Sequence, residues 1–97
     1  MAGGEFYRGG SSLVPHPDEV KVDQASGLLR TSHGVSVFDR PENLERFGGP
    51  YRVTNVPAEL RVIQRGRDPH HHEIVPAHPM TMTEFEEALR KIILIPV

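Results

Sequence analysis

Alternating apolar and polar residues mark several short β-strands in this chain. The clearest is the segment GVSVF, which ends at Phe38. Successive side chains of a strand point to opposite faces, so Val35 and Val37 are predicted to face inward, with Ser36 and Phe38 on the other face. The same pattern predicts further strands at Glu5–Arg8, Tyr51–Asn55 and Leu60–Gln64, and a weak hairpin from Val20 to Leu29.

A histidine-rich segment, HHHEIVPAHPM at His70–Met80, follows the turn sequence GRDP and is predicted to be extended. His71 and Glu73 would then share one face of the strand, and His72 and Ile74 would share the other. A histidine beside a carboxylate can orient a substrate and stabilise positive charge. This strand is therefore the first candidate for a functional element.

Two helices are predicted. The first begins at Asp39, a suitable N-cap, runs to about Phe47 and stops at two glycines. The second begins with Thr81 and Glu84, which have the spacing of a capping box. Its buried side is predicted from an apolar stripe at helical spacing, namely Phe85, Ala88, Leu89 and Ile92. The last segment, ILIPV, is either a terminal strand or a tail packed under the sheet.

The length indicates one domain spanning residues 1–97, and nine glycines with nine prolines indicate a loop-rich, mostly β framework. Together with the two predicted helices, the expected class is α+β. The chain has no cysteine, which excludes disulfides, thiolate nucleophiles and cysteine zinc sites. Its net charge of −2 makes binding to nucleic-acid phosphates unfavourable. The N-terminal segment lacks the apolar core of a signal peptide, and no run approaches the ~20 apolar residues of a membrane span. We expect a soluble domain with no membrane partner.

Three segments stand in a suggestive order: FYRGG at Phe6–Gly10, HGVSVFDRPENL at His33–Leu44, and HHEIVPAHPM at His71–Met80, with VPAELRVIQRG between the last two. In this order and spacing the chain resembles small bacterial toxins with an ADP-ribosyltransferase-like fold. Such toxins are effectors of type VI secretion systems or C-terminal toxin domains of polymorphic Rhs-type proteins. The resemblance covers nearly the whole chain. It implies a mixed, mostly antiparallel sheet with two short helices.

The resemblance also implies a substrate and a catalytic set. The toxins carry an arginine on the first strand, a hydroxyl residue on a middle strand, and a late histidine or glutamate, which here correspond to Arg8, Ser36, and His71 with Glu73. The implied substrate is NAD. Cleavage of its nicotinamide–ribose bond builds positive charge on the sugar, which Glu73 would stabilise while His71 holds a ribose hydroxyl.

The predicted NAD-binding residues have matching chemistry. Arg8 would grip the phosphates with its forked guanidinium, and Gly9 would let the backbone approach them closely. Ser36 would hydrogen-bond the nicotinamide ribose, and Tyr7 and Phe38 would stack on the nicotinamide ring. The acceptor is either water, which makes the protein a glycohydrolase, or an unknown macromolecule, which makes it a transferase.

Other interpretations stay open at this point. Imidazole and carboxylate also ligate zinc, but adjacent side chains on a strand diverge, so we expect no metal. A ribonuclease-type toxin using His71 and arginines is one alternative, and a non-enzymatic immunity or interaction domain is another. For the toxin we expect a cognate immunity protein or antitoxin, action in the bacterial cytoplasm, and delivery by a contact-dependent secretion system without a signal peptide.

Overall fold

The strands pair into one sheet, and a helix packs on one side of it. The computed structural model describes residues 5–97, so the first four residues of the predicted domain lie outside the described range. In chain order the elements are β1 (Phe6–Arg8), β2 (Val35–Phe38), β3 (Tyr51–Thr54), β4 (Leu60–Gln64), β5 (His71–Pro76), α1 (Met82–Leu89) and β6 (Ile93–Pro96). The order in the sheet is β4-β5-β2-β1-β3-β6. The architecture is α+β, as predicted.

Every strand pairing within residues 5–97 is antiparallel. The expected mixed sheet is therefore wrong for this part of the chain. A parallel pair needs a long crossover, usually a helix, between neighbouring strands. Here α1 connects β5 to β6, and these two strands are not neighbours in the sheet. The helix covers the sheet without joining a parallel pair.

Side-chain alternation divides the sheet into two faces. Val35, Val37 and Ile74 are completely buried on one face, which packs against α1 and is called the core face. The opposite face, called the polar face, carries Ser36, Phe38, His71 and Glu73, which are paired with one another across β2 and β5. The inward orientation predicted for Val35 and Val37 is confirmed. The polar face is the one that concentrates chemically active side chains.

The core lies between the core face and α1. Its members are apolar residues from the sheet, the helix and the loops: Leu29, Val35, Val37, Leu60, Ile74, Met80, Phe85, Ala88, Leu89 and Ile92. Phe85 is completely buried, and burying such a side chain contributes about 1.5–3 kcal/mol. The predicted helical stripe is confirmed, because all its residues belong to this cluster.

Helix α1 begins with the predicted capping box. The Glu84 main-chain N–H donates to Thr81 Oγ1 at 3.1 Å, and the Thr81 N–H donates to Glu84 Oε1 at 2.8 Å. These two bonds satisfy donors that the first helical turn would otherwise leave unpaired. Within residues 5–97 no helix has the length and apolarity needed to cross a bilayer.

Removing this cap should cost a moderate amount of stability. Thr81→Ala deletes the hydroxyl that accepts from Glu84, so we expect the free energy of unfolding to fall by about 1 kcal/mol in urea denaturation. Thr83→Ala is the matched control, because Thr83 is an exposed residue of the same turn. Equal stabilities of the two variants would show that the capping bond contributes nothing measurable.

The predicted helix at residues 39–47 is wrong. The segment forms bends and a single 3-10 turn, Glu45–Phe47, and within residues 5–97 only α1 is an α-helix. Asn43 adopts a positive φ of 70°, which breaks a right-handed helix. Asp39 does not cap a helix, since its carboxylate lies 2.8 Å from His70 Nδ1. The contact between Asp39 and His70 thus replaces the helix cap that the local sequence predicts.

Strand pairing and backbone angles also give the outcome of three further predictions: the hairpin, the C-terminal segment and the end of β3. Val22 and Leu29 form an isolated antiparallel bridge, which confirms a minimal hairpin. The C-terminal segment pairs with β3 as β6 and is therefore a strand. β3 ends one residue earlier than predicted, at Thr54, because Asn55 has a positive φ of 61°.

Candidate functional site

Strand pairing gathers the three predicted catalytic residues on the polar face. In the register of β2 and β5, Ser36 lies opposite Glu73, and Phe38 lies opposite His71. Directly opposed residues of an antiparallel pair point to the same side of the sheet. Ser36, His71 and Glu73 therefore form one cluster, called the Ser36–His71–Glu73 cluster.

The ring of His71 bridges a main-chain carbonyl and the Ser36 hydroxyl. Nδ1 is 2.7 Å from the Arg65 carbonyl oxygen, and Nε2 is 3.1 Å from Ser36 Oγ. Because a carbonyl oxygen can only accept, Nδ1 carries a proton and donates it. In the neutral ring Nε2 then accepts the proton of the Ser36 hydroxyl. The main chain thus determines the tautomer, and Ser36 Oγ keeps its lone pairs for a donor on a ligand.

Glu73 is a buried carboxylate with partners for both oxygens. The residue is 4% exposed. Oε1 accepts from the Gly34 N–H at 2.9 Å, and Oε2 accepts from Arg65 Nε at 3.0 Å. Burial of a charge is costly unless it is paired and hydrogen-bonded, and this environment meets both conditions. Since Oε2 lies 3.9 Å from His71 Nε2, the negative charge stands directly beside the imidazole.

Arg8 reaches the same part of β2 through the main chain. Its Nη1 donates to the Ser36 carbonyl at 2.7 Å, and its Nε donates to the Ser12 carbonyl at 3.0 Å. Partial burial lowers the pKa of Arg8, and the charge of Glu19 opposes this effect. Arg8 alternates with Tyr7 along β1, so its Cβ lies on the side opposite to the Ser36 hydroxyl. The Arg8 side chain therefore leaves β1 on the side opposite to the Ser36–His71–Glu73 cluster, and its guanidinium meets Ser36 at the main-chain carbonyl.

The predicted aromatic residues border the cluster. Tyr7 lies opposite Phe38, and the rings of Phe38 and His71 meet edge to face with centroids 5.6 Å apart. The Tyr7 hydroxyl donates to Glu5 Oε1 at 2.9 Å, and this bond raises the pKa of Tyr7. Both rings are partly exposed. They form an aromatic border next to His71.

Gly9 lies in the turn that follows β1 and packs against a neighbouring loop. A Cβ at this position would lie 2.9 Å from the Cβ of Phe47, closer than van der Waals contact allows. Close packing of the two loops therefore requires glycine at position 9. This requirement is independent of any ligand.

The neighbouring histidines lie outside the cluster. The ring of His72 points to the core face, 4.8 Å from the ring of Phe6. His70 pairs with Asp39 and also contacts Arg40. Because side chains alternate along an extended chain, His71 lies on the polar face, whereas its neighbours His70 and His72 point away from that face. In the described part of the chain no three histidine or acidic residues converge as a metal site.

Sequence reasoning missed two residues of the site, Arg65 and Gly34. Arg65 supports His71 with its carbonyl and Glu73 with its side chain. It follows Ile63, which lies opposite Glu73, by two residues. Only the strand register could reveal that proximity. For Gly34 a signal existed, because a glycine at the start of a strand often marks close backbone approach.

An apolar groove lies elsewhere on the molecule. It has a volume of about 370 Å³ and runs between α1 and the loop at residues 11–15, with Leu13, Val14, Leu89 and Leu94 in its walls. None of the predicted site residues lines this groove. The polar side chains and the groove are therefore separate features of the surface.

Comparison of the chain with protein-family models, with curated proteins and with solved structures finds no match. The chemistry of the Ser36–His71–Glu73 cluster must therefore be inferred from its own hydrogen bonds, burial and charge.

Proposed function

We propose that this domain is a bacterial toxin that acts on NAD, as an ADP-ribosyltransferase or as an NAD glycohydrolase. The observation that carries the proposal is the cluster of Ser36, His71 and Glu73 on adjacent strands, with hydrogen bonds that orient each side chain. A hydroxyl, an oriented imidazole and a buried carboxylate are suited to holding a ribose while positive charge develops on it.

His71 and Glu73 act on the ribose. A ribose hydroxyl that replaces Ser36 at His71 Nε2 would also come within reach of Glu73 Oε2, because these two atoms are 3.9 Å apart. The hydroxyl would donate to the imidazole and lie beside the negative charge. The same charge favours the oxocarbenium-like sugar over the neutral ground state. Because the charge of Glu73 stabilises the oxocarbenium-like transition state more than the ground state, it accelerates cleavage of the bond.

The remaining predicted residues hold the rest of the dinucleotide. Ser36 Oγ accepts a hydrogen bond from the nicotinamide ribose, and the partly exposed rings of Tyr7 and Phe38 offer a surface for the nicotinamide. Arg8, whose Nε and Nη1 donate to main-chain carbonyls, contributes its positive charge to the attraction of the phosphates. Gly9 follows Arg8 in the turn after β1, and Phe47 occupies the space beside it that a side chain would fill.

The reaction breaks the bond between the nicotinamide nitrogen and C1 of the ribose. Nicotinamide leaves with the bonding electron pair and becomes neutral, while C1 becomes electron-deficient. An oxygen or nitrogen of the acceptor then bonds to C1 and loses its proton. With water as acceptor the product is ADP-ribose, and with a macromolecule it is an ADP-ribosylated target.

The proposal includes an ADP-ribosyltransferase-like arrangement of the antiparallel sheet, action in the bacterial cytoplasm and neutralisation by a cognate immunity protein. Support for this arrangement comes from the order of Arg8 on β1, Ser36 on β2 and Glu73 on β5. β2 and β5 are central neighbours, and β1 flanks β2 on its other side. Three adjacent strands thus contribute the proposed residues.

The purified domain is expected to consume NAD and release nicotinamide, measured by chromatography, and to leave RNA intact under the same conditions. Expression in the bacterial cytosol should arrest growth. His71→Ala is the control for both experiments, since it removes the ring from the cluster without touching the core.

Other outcomes identify the alternatives. Loss of RNA with intact NAD would assign the domain to ribonuclease-type toxins. Intact NAD, intact RNA and normal growth at verified soluble expression would instead indicate a partner-binding domain. Labelled NAD incubated with bacterial lysate separates the two NAD reactions, because only a transferase attaches the label to a macromolecule.

A further inference from the structure

Arg65 presents hydrogen-bond donors to solvent beside the cluster. Among the contacts of residues 5–97, its side chain engages Glu73 through Nε, at 3.0 Å, and the side chain is 45% exposed. Nη1 and Nη2 remain for a ligand. Arg8 differs, because Nε and Nη1 of Arg8 already donate to main-chain carbonyls. Of the two arginines near the cluster, Arg65 is thus the one with both terminal amino groups available.

Three hydrogen bonds hold Arg65 in position. Its carbonyl accepts from His71 Nδ1 at 2.7 Å, its Nε holds Glu73, and its main-chain N–H donates to the His71 carbonyl at 3.4 Å. Two of these contacts involve the His71 residue itself. The guanidinium is therefore held next to the imidazole proposed to bind the ribose. Little rearrangement is needed for both to contact one ligand.

The charge of Arg65 acts on the nearby His33, in a chain whose net charge is −2. The pKa of His33 is lowered first by desolvation and then by the charge of Arg65, and the opposite effect of Glu73 is smaller. Lys21 and Arg30 act on His33 in the same direction as Arg65. At His33 the charge of Arg65 thus acts more strongly than that of Glu73. An exposed guanidinium such as that of Arg65 can attract an anion.

We propose that Arg65 binds the diphosphate of the nucleotide substrate through Nη1 and Nη2, an inference that rests on the proposed action on NAD. A guanidinium presents two parallel N–H groups that match two phosphate oxygens, whereas a lysine offers a single point charge. Arg65 then has two roles. Its Nε keeps Glu73 in place, and its terminal nitrogens place the diphosphate beside the ribose held by His71.

The test is calorimetric binding of NAD and ADP to Arg65→Lys. Lysine keeps a positive charge near Glu73 but lacks the Nε that holds it, so the melting temperature is expected to fall moderately and binding is measured well below it. Loss of the fork should weaken binding of both nucleotides by about ten- to a hundredfold, the range for a lost charge-assisted hydrogen bond. Arg67→Lys is the matched control, because Arg67 is an exposed arginine of the adjacent turn, and it should bind like the wild type.

A second measurement does not depend on any variant. The wild-type protein should bind ADP at least about tenfold more tightly than adenosine, because only ADP offers phosphate oxygens to the fork. Equal affinities, or unchanged nucleotide binding by a folded Arg65→Lys variant, would overturn the role of Arg65 and leave the NAD activity standing. A wild-type protein that neither binds nor consumes NAD would overturn both proposals.

Discussion

Replacing His71 by alanine is expected to lower NAD turnover by about a hundredfold or more. His71 Nε2 is the acceptor proposed to hold the ribose hydroxyl, and the ring is oriented by a 2.7 Å bond to the Arg65 carbonyl. Loss of one oriented hydrogen-bonding group in a transition state typically costs about 10²–10³ in rate. Initial rates of nicotinamide release at saturating NAD measure the effect directly.

His72→Ala is the control, because His72 precedes Glu73 on the same strand but faces the other side. Its ring packs against Phe6, so its replacement should lower stability modestly and leave the turnover of the folded protein close to that of the wild type. Melting curves of both variants separate the two effects. A rate loss in His72→Ala as large as that in His71→Ala would show that activity does not follow the polar face.

Replacing Gly34 by alanine is expected to lower the stability of the protein more than any other substitution proposed here. An added Cβ would lie 1.8 Å from the Ile74 carbonyl oxygen and 2.7 Å from the Ile74 carbonyl carbon. These atoms belong to the backbone of central strand β5, so they cannot move aside as a flexible side chain can. We expect the free energy of unfolding to fall by at least about 3 kcal/mol. For a domain of this size the melting temperature should fall by at least about 10 °C.

Gly27→Ala controls for the general effect of replacing glycine. No atom lies within 4 Å of a Cβ at Gly27, but its φ is +74°, so alanine should cost only the strain of that conformation, about 1–2 kcal/mol. The difference between the two variants then measures the close contact at Gly34. Equal losses of stability in the two variants would mean that β2 and β5 can move apart at Gly34 without a cost in free energy.

The contact at Gly34 also links stability to the site. The N–H of Gly34 donates to Glu73 Oε1 at 2.9 Å, and the close approach of the backbones keeps that donor near the buried carboxylate. A buried charge that loses a partner is strongly destabilising. The feature that brings β2 and β5 together thus also makes the buried negative charge tolerable. The fold and the cluster therefore depend on the same few atoms.

Local patterns in the sequence determined the strands and the C-terminal helix. Alternation in GVSVF located β2 and the residues it buries, because the period of two is a property of the extended chain itself. The capping box at Thr81 and the apolar stripe located α1 for the same kind of reason. The shared face of His71 and Glu73 also follows from alternation alone. All of these features involve residues close together in the chain.

Only the tertiary structure decided the features that join distant segments. Asp39 pairs with His70, 31 residues away, and the helix predicted at residues 39–47 does not form. Arg65 joins the cluster because β4 pairs with β5, and Gly34 does so because β2 pairs with β5 on the other side. Strand order and register depend on the packing of the whole core, which no short window of sequence contains. The sequence alone therefore predicted the candidate residues, whereas the packing of distant segments determined which groups hydrogen-bond to them.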